Sequence, residues 1–581
     1  MSRTYSMIEN GAETSRIKKF FQKDFSQVII FAIPMLFIAV FLLYPMAITL
    51  VRAFWASPAE YEFGFTGWSL ESFRTFFGTR IYLRALRNSL VVSLSVTVLC
   101  ILIGVPMGYC VARVKIPGKK LLVSLGILPI IMPSFVGAYT WVILLGNKGI
   151  VRVALNWLLK PFGITVPSIY GMFGMILCMT LTYYPFVFQM AYGAFSGANA
   201  LLEESAMLMG AGKARIMRTI TFPLIIPSLG AAALLVFVRA IGNYGIPAVI
   251  GIGANNYVLP TLIKFAYGGA GDINLASAIA VINVMITGLV LYLQKYVVSR
   301  HEYETISATH TEVKQHDSIG ARIFAIIFCL IILIFSLLPQ LTIIIMSFFS
   351  RWDGLLPTGF TLSNYSGIWK NSRHELFNSF FLSITATLMC ALFGSVLAYI
   401  TERKKPKGAA LLDLSIMAPF ILPGTVVSIA LLSAFGGNGI MKLTGTYAIL
   451  IISYMIRRTP YVYRSVAANL TQLNPSLEEA STISGATWFY TFRRVSVPLI
   501  MPAIISGSVM TLTTLLQELS TTILLCGVKT KTVPIQIFNA VNSGELGKAS
   551  ALSTVLLIVV FAIIFTMNTR KGTDLSSSMK M

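Results

Sequence analysis

Three polar residues stand in stretches that are otherwise almost wholly apolar. Arg239 interrupts "AAALLVFVRAIGNYGIPAVIG", Asn243 follows it by four, and Glu518 interrupts "TLTTLLQELSTTILL". A constant offset of 275 residues carries Asn243 onto Glu518. Arg239 lies 12 residues beyond Pro227, about 18 Å at helical rise, which is close to the middle of a bilayer if the helix crosses one. A charge at that depth is costly, so it marks a functional site by default. One expectation is that Arg239, Asn243 and Glu518 line a polar path, with Arg239 and Glu518 paired across an axis between two halves. The plainer reading is a structural ion pair, or snorkelling that steadies the bundle. Arg457 and Arg458, just before Pro460, read as topology anchors.

Other chemistries find little support. The histidines His301, His310, His316 and His374 all fall in polar segments and form no cluster with carboxylates, so no metal site is expected. The six cysteines (Cys100, Cys110, Cys178, Cys329, Cys390, Cys526) lie in or beside apolar runs without C-x-x-C spacing and read as small buried hydrophobes. "GAGKAR" from Gly210 and "GELGKAS" from Gly544 approach a phosphate loop, but neither satisfies G-x4-G-K-[ST]. No catalytic residue and no directly bound cofactor are expected.

The elements that must position these residues follow from composition. Of the 581 residues 56% are hydrophobic and 12% charged, with a mean hydropathy of +0.77. A soluble domain is about one quarter charged, so lipid is the solvent here. Runs of about 20 apolar residues match the thickness of the hydrocarbon core, and about twelve can be placed. The net charge of +23 is explained by lysine and arginine gathered in loops on one side of a membrane, such as "ARVKIPGKK" and "ERKKPKG", so no nucleic-acid partner is expected. That bias puts both termini inside, with residues 1–26 and 569–581 as cytoplasmic ends. The first apolar run is too long for a cleaved signal sequence.

The chain repeats itself. Asn88-Ser89 recurs as Asn378-Ser379, Tyr109 as Tyr399, Arg113 as Arg403 and Pro133 as Pro423, all at an offset of 290. After an external loop 15 residues longer in the first half, the offset becomes 275 and joins Pro185 to Pro460. This predicts two parallel six-span halves, 27–298 and 323–568, joined by a polar cytoplasmic linker at 299–322. The longest match is polar: "EESAMLMGAGKARIMRTITFP" from Glu203 against "EEASTISGATWFYTFRRVSVP" from Glu478. Each copy reads as a short helix, a Gly break and a second helix reaching Pro at the membrane. They lie in cytoplasmic loops at about 196–226 and 471–501. Two copies about a pseudo-twofold axis suit a partner that is itself two-fold.

These stretches resemble the E-A-A-x3-G-x9-I-x-L-P motif of permease subunits of bacterial ABC importers. The first copy supplies Glu204, Ser205, Ala206, Gly210, Ile220 and Pro223, and the second Glu479, Ala480, Ser481, Gly485, Val495 and Pro498. The resemblance covers nearly the whole chain. It implies an all-α polytopic fold like the transmembrane domains of type I ABC importers, in a bacterial inner membrane. It also implies two copies of a separate ABC ATPase, one docked on each loop and consuming ATP, and an extracytoplasmic substrate-binding protein. The fused two-half form resembles the ferric-iron permease group, close to permeases for 2-aminoethylphosphonate, thiamine and polyamines. A transporter driven by an ion gradient is the rival class, and it would leave the repeated motif without a purpose.

Overall fold

A computed structural model describes residues 25–55, 67–197, 200–299, 317–352, 357–436 and 441–569. Most of the expected N-terminal segment, linker and C-terminal tail, with His301, His310 and His316, lies outside the described residues. In the first half the chain forms α1 (Phe31–Ala53), α2 (Arg80–Arg113), α3 (Lys119–Ile131), α4 (Ser134–Leu145) and α5 (Met172–Gly197). There follow α6 (Ala200–Leu208), α7 (Ala214–Ile241), α8 (Leu259–Gly268) and α9 (Ile273–Ser299). The second half repeats the order with α10 (Ile319–Ser347), α11 (Arg373–Lys404), α12 (Ala409–Ile421) and α13 (Gly424–Phe435). It continues with α14 (Tyr447–Gln472), α15 (Ser476–Ile483), α16 (Trp488–Leu516), α17 (Val533–Asn542) and α18 (Leu546–Thr569). The strand content among the described residues is one small hairpin, Phe349–Arg351 with Thr358–Phe360.

Nine of the described helices are long and apolar enough to cross a membrane, and the bent pairs α3–α4 and α12–α13 raise this to 11. The expectation was about twelve. The difference is α14, which matches α5 in length and place but carries Arg457, Arg458 and Arg464. A span that polar escapes any test of length and apolarity. The bent pairs turn by 96° and 111° at Met132-Pro133 and Leu422-Pro423, because proline cannot donate to the helical ladder and its ring clashes with the preceding turn.

The halves interlock. Helix α1 packs on α9 of its own half but also on α11 and α13 of the other, and α10 packs on α18 and crosses to α2 and α4. Within each half, small residues let the second and fourth spans approach closely. A Cβ on Gly104 would lie 2.7 Å from the Val187 Cβ, and one on Gly108 2.8 Å from the Ala191 Cβ. Gly394, the counterpart of Gly104, leaves the same room for Val462, at 3.0 Å. The repeated Asn-Ser pair also has a shared task. The Asn88 amide donates to the Tyr257 carbonyl (3.1 Å) and Ser89 Oγ accepts from the Leu259 amide (2.8 Å). In the second half Asn378 donates to the carbonyls of Lys529 and Lys531, and Ser379 Oγ accepts from the Val533 amide at 2.7 Å. Each pair therefore pins the irregular segment after the fifth span and the start of α8 or α17. Those segments hold polar groups that need partners away from water.

Candidate functional site

The two repeated loops fold alike. Helix α6 ends at Gly210 (φ +81°) and α15 at Gly485 (φ +85°), a left-handed conformation that favours glycine. At each end two backbone bonds close the turn, Gly210 to Met207 and Ala211 to Ala206 (both 2.9 Å), and Gly485 to Thr482 and Ala486 to Ser481 (3.0 and 3.2 Å). This is a Schellman closure. The chain then enters α7 or α16 through a π turn, Met217–Thr221 or Phe492–Ser496. The turn ends just before Pro223 or Pro498, where the proline nitrogen offers no hydrogen to the ladder.

Most motif residues face outward. Glu204, Ser205, Gly210, Glu479, Ala480, Gly485 and Pro498 are exposed, whereas Ala206, Ile220, Pro223, Ser481 and Val495 are half-buried. The tips also present bare apolar groups, with Leu208 89%, Met209 91% and Ile483 87% exposed. The acidic residues that tie the loops to the bundle are one position earlier than the motif suggests. Glu203 forms a two-pronged ion pair with Arg113 on α2 (2.8 and 2.9 Å) and accepts from Thr221 (2.7 Å). Glu478 lies 3.5 Å from Arg403 on α11 and accepts from Tyr399 (3.0 Å) and Ser496 (2.9 Å). Sequence reasoning missed Glu203 and Glu478 as a pair. The signal was present in the doubled glutamates of both copies and in the Arg113–Arg403 repeat.

The polar residues inside the bundle meet, with different partners from those expected. Glu518 is paired with Arg457 (2.7 Å) and with Arg458, both on α14. It also caps the turn after α16 by accepting from the Thr521 amide and hydroxyl (3.1 and 3.2 Å). Arg239 does not pair with Glu518. It donates to the Tyr461 hydroxyl (3.1 Å) and its guanidinium lies 4.5 Å from the Phe186 ring centre. Arg458 also donates to Tyr461, at 3.4 Å, so among the described residues Arg239 is linked to Glu518 through Tyr461 and Arg458. Arg457 and Arg458, read from the sequence as topology anchors, are the partners of Glu518. Their side chains are 15% and 12% exposed and face a carboxylate that is 5% exposed, a buried charge that is costly without its partners.

The first half builds the same site without charge. Asn243 donates to Tyr183 (2.6 Å) and to Ser134 (3.2 Å), and its carbonyl accepts from the Ile246 amide (2.9 Å). At the 275 offset Tyr183 answers Arg458, and Phe186 answers Tyr461. Arg239 therefore sits between pseudo-equivalent residues of α5 and α14, at the seam of the halves. The breaks in the third spans reach the same place. Ser134 opens α4 beside Asn243, and a Cβ on Gly424, which opens α13, would lie 2.8 Å from Arg457 Nη1. Among the described residues, histidine, cysteine and carboxylate side chains form no metal-holding group.

A family model described as "binding-protein-dependent transport system inner membrane component" matches twice, at residues 101–302 and 390–571. A ferric transport system permease protein of Actinobacillus pleuropneumoniae is 28% identical over 499 residues, covering 84% of this chain and 71% of that one. A Salmonella typhi protein named for 2-aminoethylphosphonate transport is 24% identical over 246 residues, covering 42% of this chain and 93% of its own. A sulfate transport system permease protein of Salmonella typhimurium is 31% identical over 199 residues, covering 32% of this chain and 72% of its own.

Proposed function

The chain belongs to the binding-protein-dependent transport system inner membrane components, and from that premise we propose that it is the fused permease subunit of an ATP-driven importer whose cargo is iron in the ferric state. The observation that carries the coupling part is the pair of exposed loops, each ending in a glycine turn and each held to the second span of its half by an arginine–glutamate contact. A rigid link of this kind turns a displacement at the loop into a displacement of the span behind it. In this reading two copies of a separate ABC ATPase grip Leu208, Met209 and Ile483, and their closure on ATP reopens the path between the halves. Both termini and both loops face the cytoplasm, and an extracytoplasmic binding protein delivers the cargo on the opposite face.

Ferric iron is favoured over 2-aminoethylphosphonate, thiamine or polyamine because the relative named for ferric transport aligns across both halves. Gradient coupling is the weaker reading, since the carboxylate at the seam, Glu518, is held by two arginines and so is poorly placed to exchange protons. The test is purification from mild detergent followed by mass spectrometry of what accompanies the chain. A Walker-motif ATPase that is lost from the eluate when Glu204 and Glu479 are changed to Arg is the expected result. Its absence from the unmodified complex would sink the coupling argument.

A further inference from the structure

The side chains gathered at the seam have an unbalanced charge. Three arginines and one carboxylate meet there: Arg457 and Arg458 hold Glu518, and Arg239 joins Arg458 at the Tyr461 hydroxyl. Glu518 is shared by Arg457 and Arg458, so among the described residues Arg239 has the phenol of Tyr461 and the face of Phe186. Its Nε is buried with no acceptor among the described residues, as are the Nε atoms of Arg457 and Arg458. Lys264 on α8 extends the pattern along the seam. Its ammonium lies 5.6 Å from the ring centres of both Tyr244, in the first half, and Phe538, in the second.

Helix ends add to this excess. The third spans are broken, so α4 and α13 each begin inside the bundle at Ser134 and Gly424, and neither start carries a side-chain cap. An N-terminus is the positive end of a helix dipole and presents unsatisfied amides. Ser134 lies on Asn243, a Cβ on the adjoining Gly242 would lie 3.2 Å from Pro423, and Gly424 lies against Arg457, so both positive ends come to the seam, one beside Asn243 and the other beside Arg457. Thr425, fully buried in the first turn of α13, has a hydroxyl without a partner among the described residues. Broken helices whose N-termini meet at a repeat interface are suited to holding negative charge. A bare trivalent cation would be repelled by the three arginines, by Lys264 and by both helix N-termini.

We propose that the seam is a translocation subsite for an anion: Arg239 makes the direct contact, Lys264 attracts the anion toward it, and the Arg457–Glu518–Arg458 group fixes the surroundings. The cargo is then a small oxyanion, or iron carried as a negatively charged complex rather than as the bare ion. This inference rests on the importer reading and deepens it.

The experiment uses the permease co-purified with its ATPase and binding protein and reconstituted into vesicles containing ATP. The probes are labelled sulfate, 2-aminoethylphosphonate, ferric citrate labelled on both iron and citrate, uncomplexed ferric ion at low pH, thiamine and spermidine. ATP-dependent uptake of one of the first three is expected, and co-accumulation of the two labels separates a carried complex from a free oxyanion. Arg239→Gln should lower that uptake by about tenfold or more, the loss typical of a charge-assisted contact. Arg239→Lys, which keeps the charge, should retain most of it, and both variants should still purify as the assembled complex with its ATPase. Uptake of uncomplexed iron, thiamine or spermidine, or an Arg239→Gln variant that carries the anion at full rate, would overturn the proposal and leave the importer reading standing. A complex that accumulates none of the probes in response to ATP would sink the importer reading and this inference with it.

Discussion

Replacing Glu518 by glutamine keeps the size and one hydrogen-bonding oxygen but strands Arg457 and Arg458 side by side in the bundle. The geometry allows the cost to be bounded. Each arginine contact is close, with Arg457 at 2.7 Å, and at a charge separation of about 4 Å an effective dielectric of ~20 gives ~4 kcal/mol per arm. Mutual repulsion of the arginines and the desolvation of all three groups reduce the net benefit. Removing one partner of a buried ion pair generally costs about 3–5 kcal/mol, and we predict a loss in that range for Glu518→Gln. The assay is thermal unfolding of the detergent-solubilised protein followed by the monodisperse fraction, since irreversible unfolding makes a rate or midpoint the usable quantity. A fall in midpoint is expected, and the triple variant Arg457→Gln, Arg458→Gln, Glu518→Gln should recover at least half of it by removing the stranded charges. If Glu518→Gln unfolds at the unmodified midpoint, or if the triple variant is no more stable than the single one, the compensated-triad account is wrong.

Three further outcomes follow from the same contacts. Gly424→Ala introduces a methyl group 2.8 Å from Arg457 Nη1 and 2.9 Å from the Ser520 Cβ. It should cost about 1–3 kcal/mol as an overpacked site, read as a lower unfolding midpoint, whereas Gly137→Ala on α4, the counterpart of α13 in the first half, where nothing lies within 4 Å, should leave the midpoint unchanged. Leu208→Glu with Met209→Glu should abolish ATPase co-purification without shifting the midpoint, because both side chains are almost fully exposed; retained ATPase would show that the α6 tip is not the docking surface. Glu203→Gln, which breaks a pair whose side chains are only 6% and 14% exposed, should uncouple ATP hydrolysis from transport while leaving ATPase association intact. Equal loss of hydrolysis and transport would count against a mechanical link through Arg113.

Much of the architecture could be read from the chain. The periodic return of apolar runs reported a lipid solvent, and the 290 and 275 offsets reported two parallel halves, because duplication preserves spacing wherever packing depends on it. Glycine at 210 and 485 could be read as a turn because few other residues adopt a positive φ. The bends at Pro133 and Pro423 were less legible, since proline inside a span is common and only the backbone shows that these two prolines break the helix outright. The polarity of α14 misled in the opposite direction. Two adjacent arginines near a proline look like an interfacial anchor until a carboxylate from the turn after α16 is placed against them.

The sequence by itself determined the solvent, the repeat and the loops that face the cytoplasm in our reading, because hydropathy and spacing are properties of contiguous residues. It also marked Arg239, Asn243 and Glu518 as out of place. Tertiary structure alone decided which groups satisfy them. Each residue turns the helical face by about 100°, so whether Arg458 meets lipid, water or Glu518 depends on how α14 is rotated against α16. Only the packing of the two halves put Arg239 between Phe186 and Tyr461. A buried charge is satisfied by whatever the fold brings within about 3 Å, and that distance is not written along the chain.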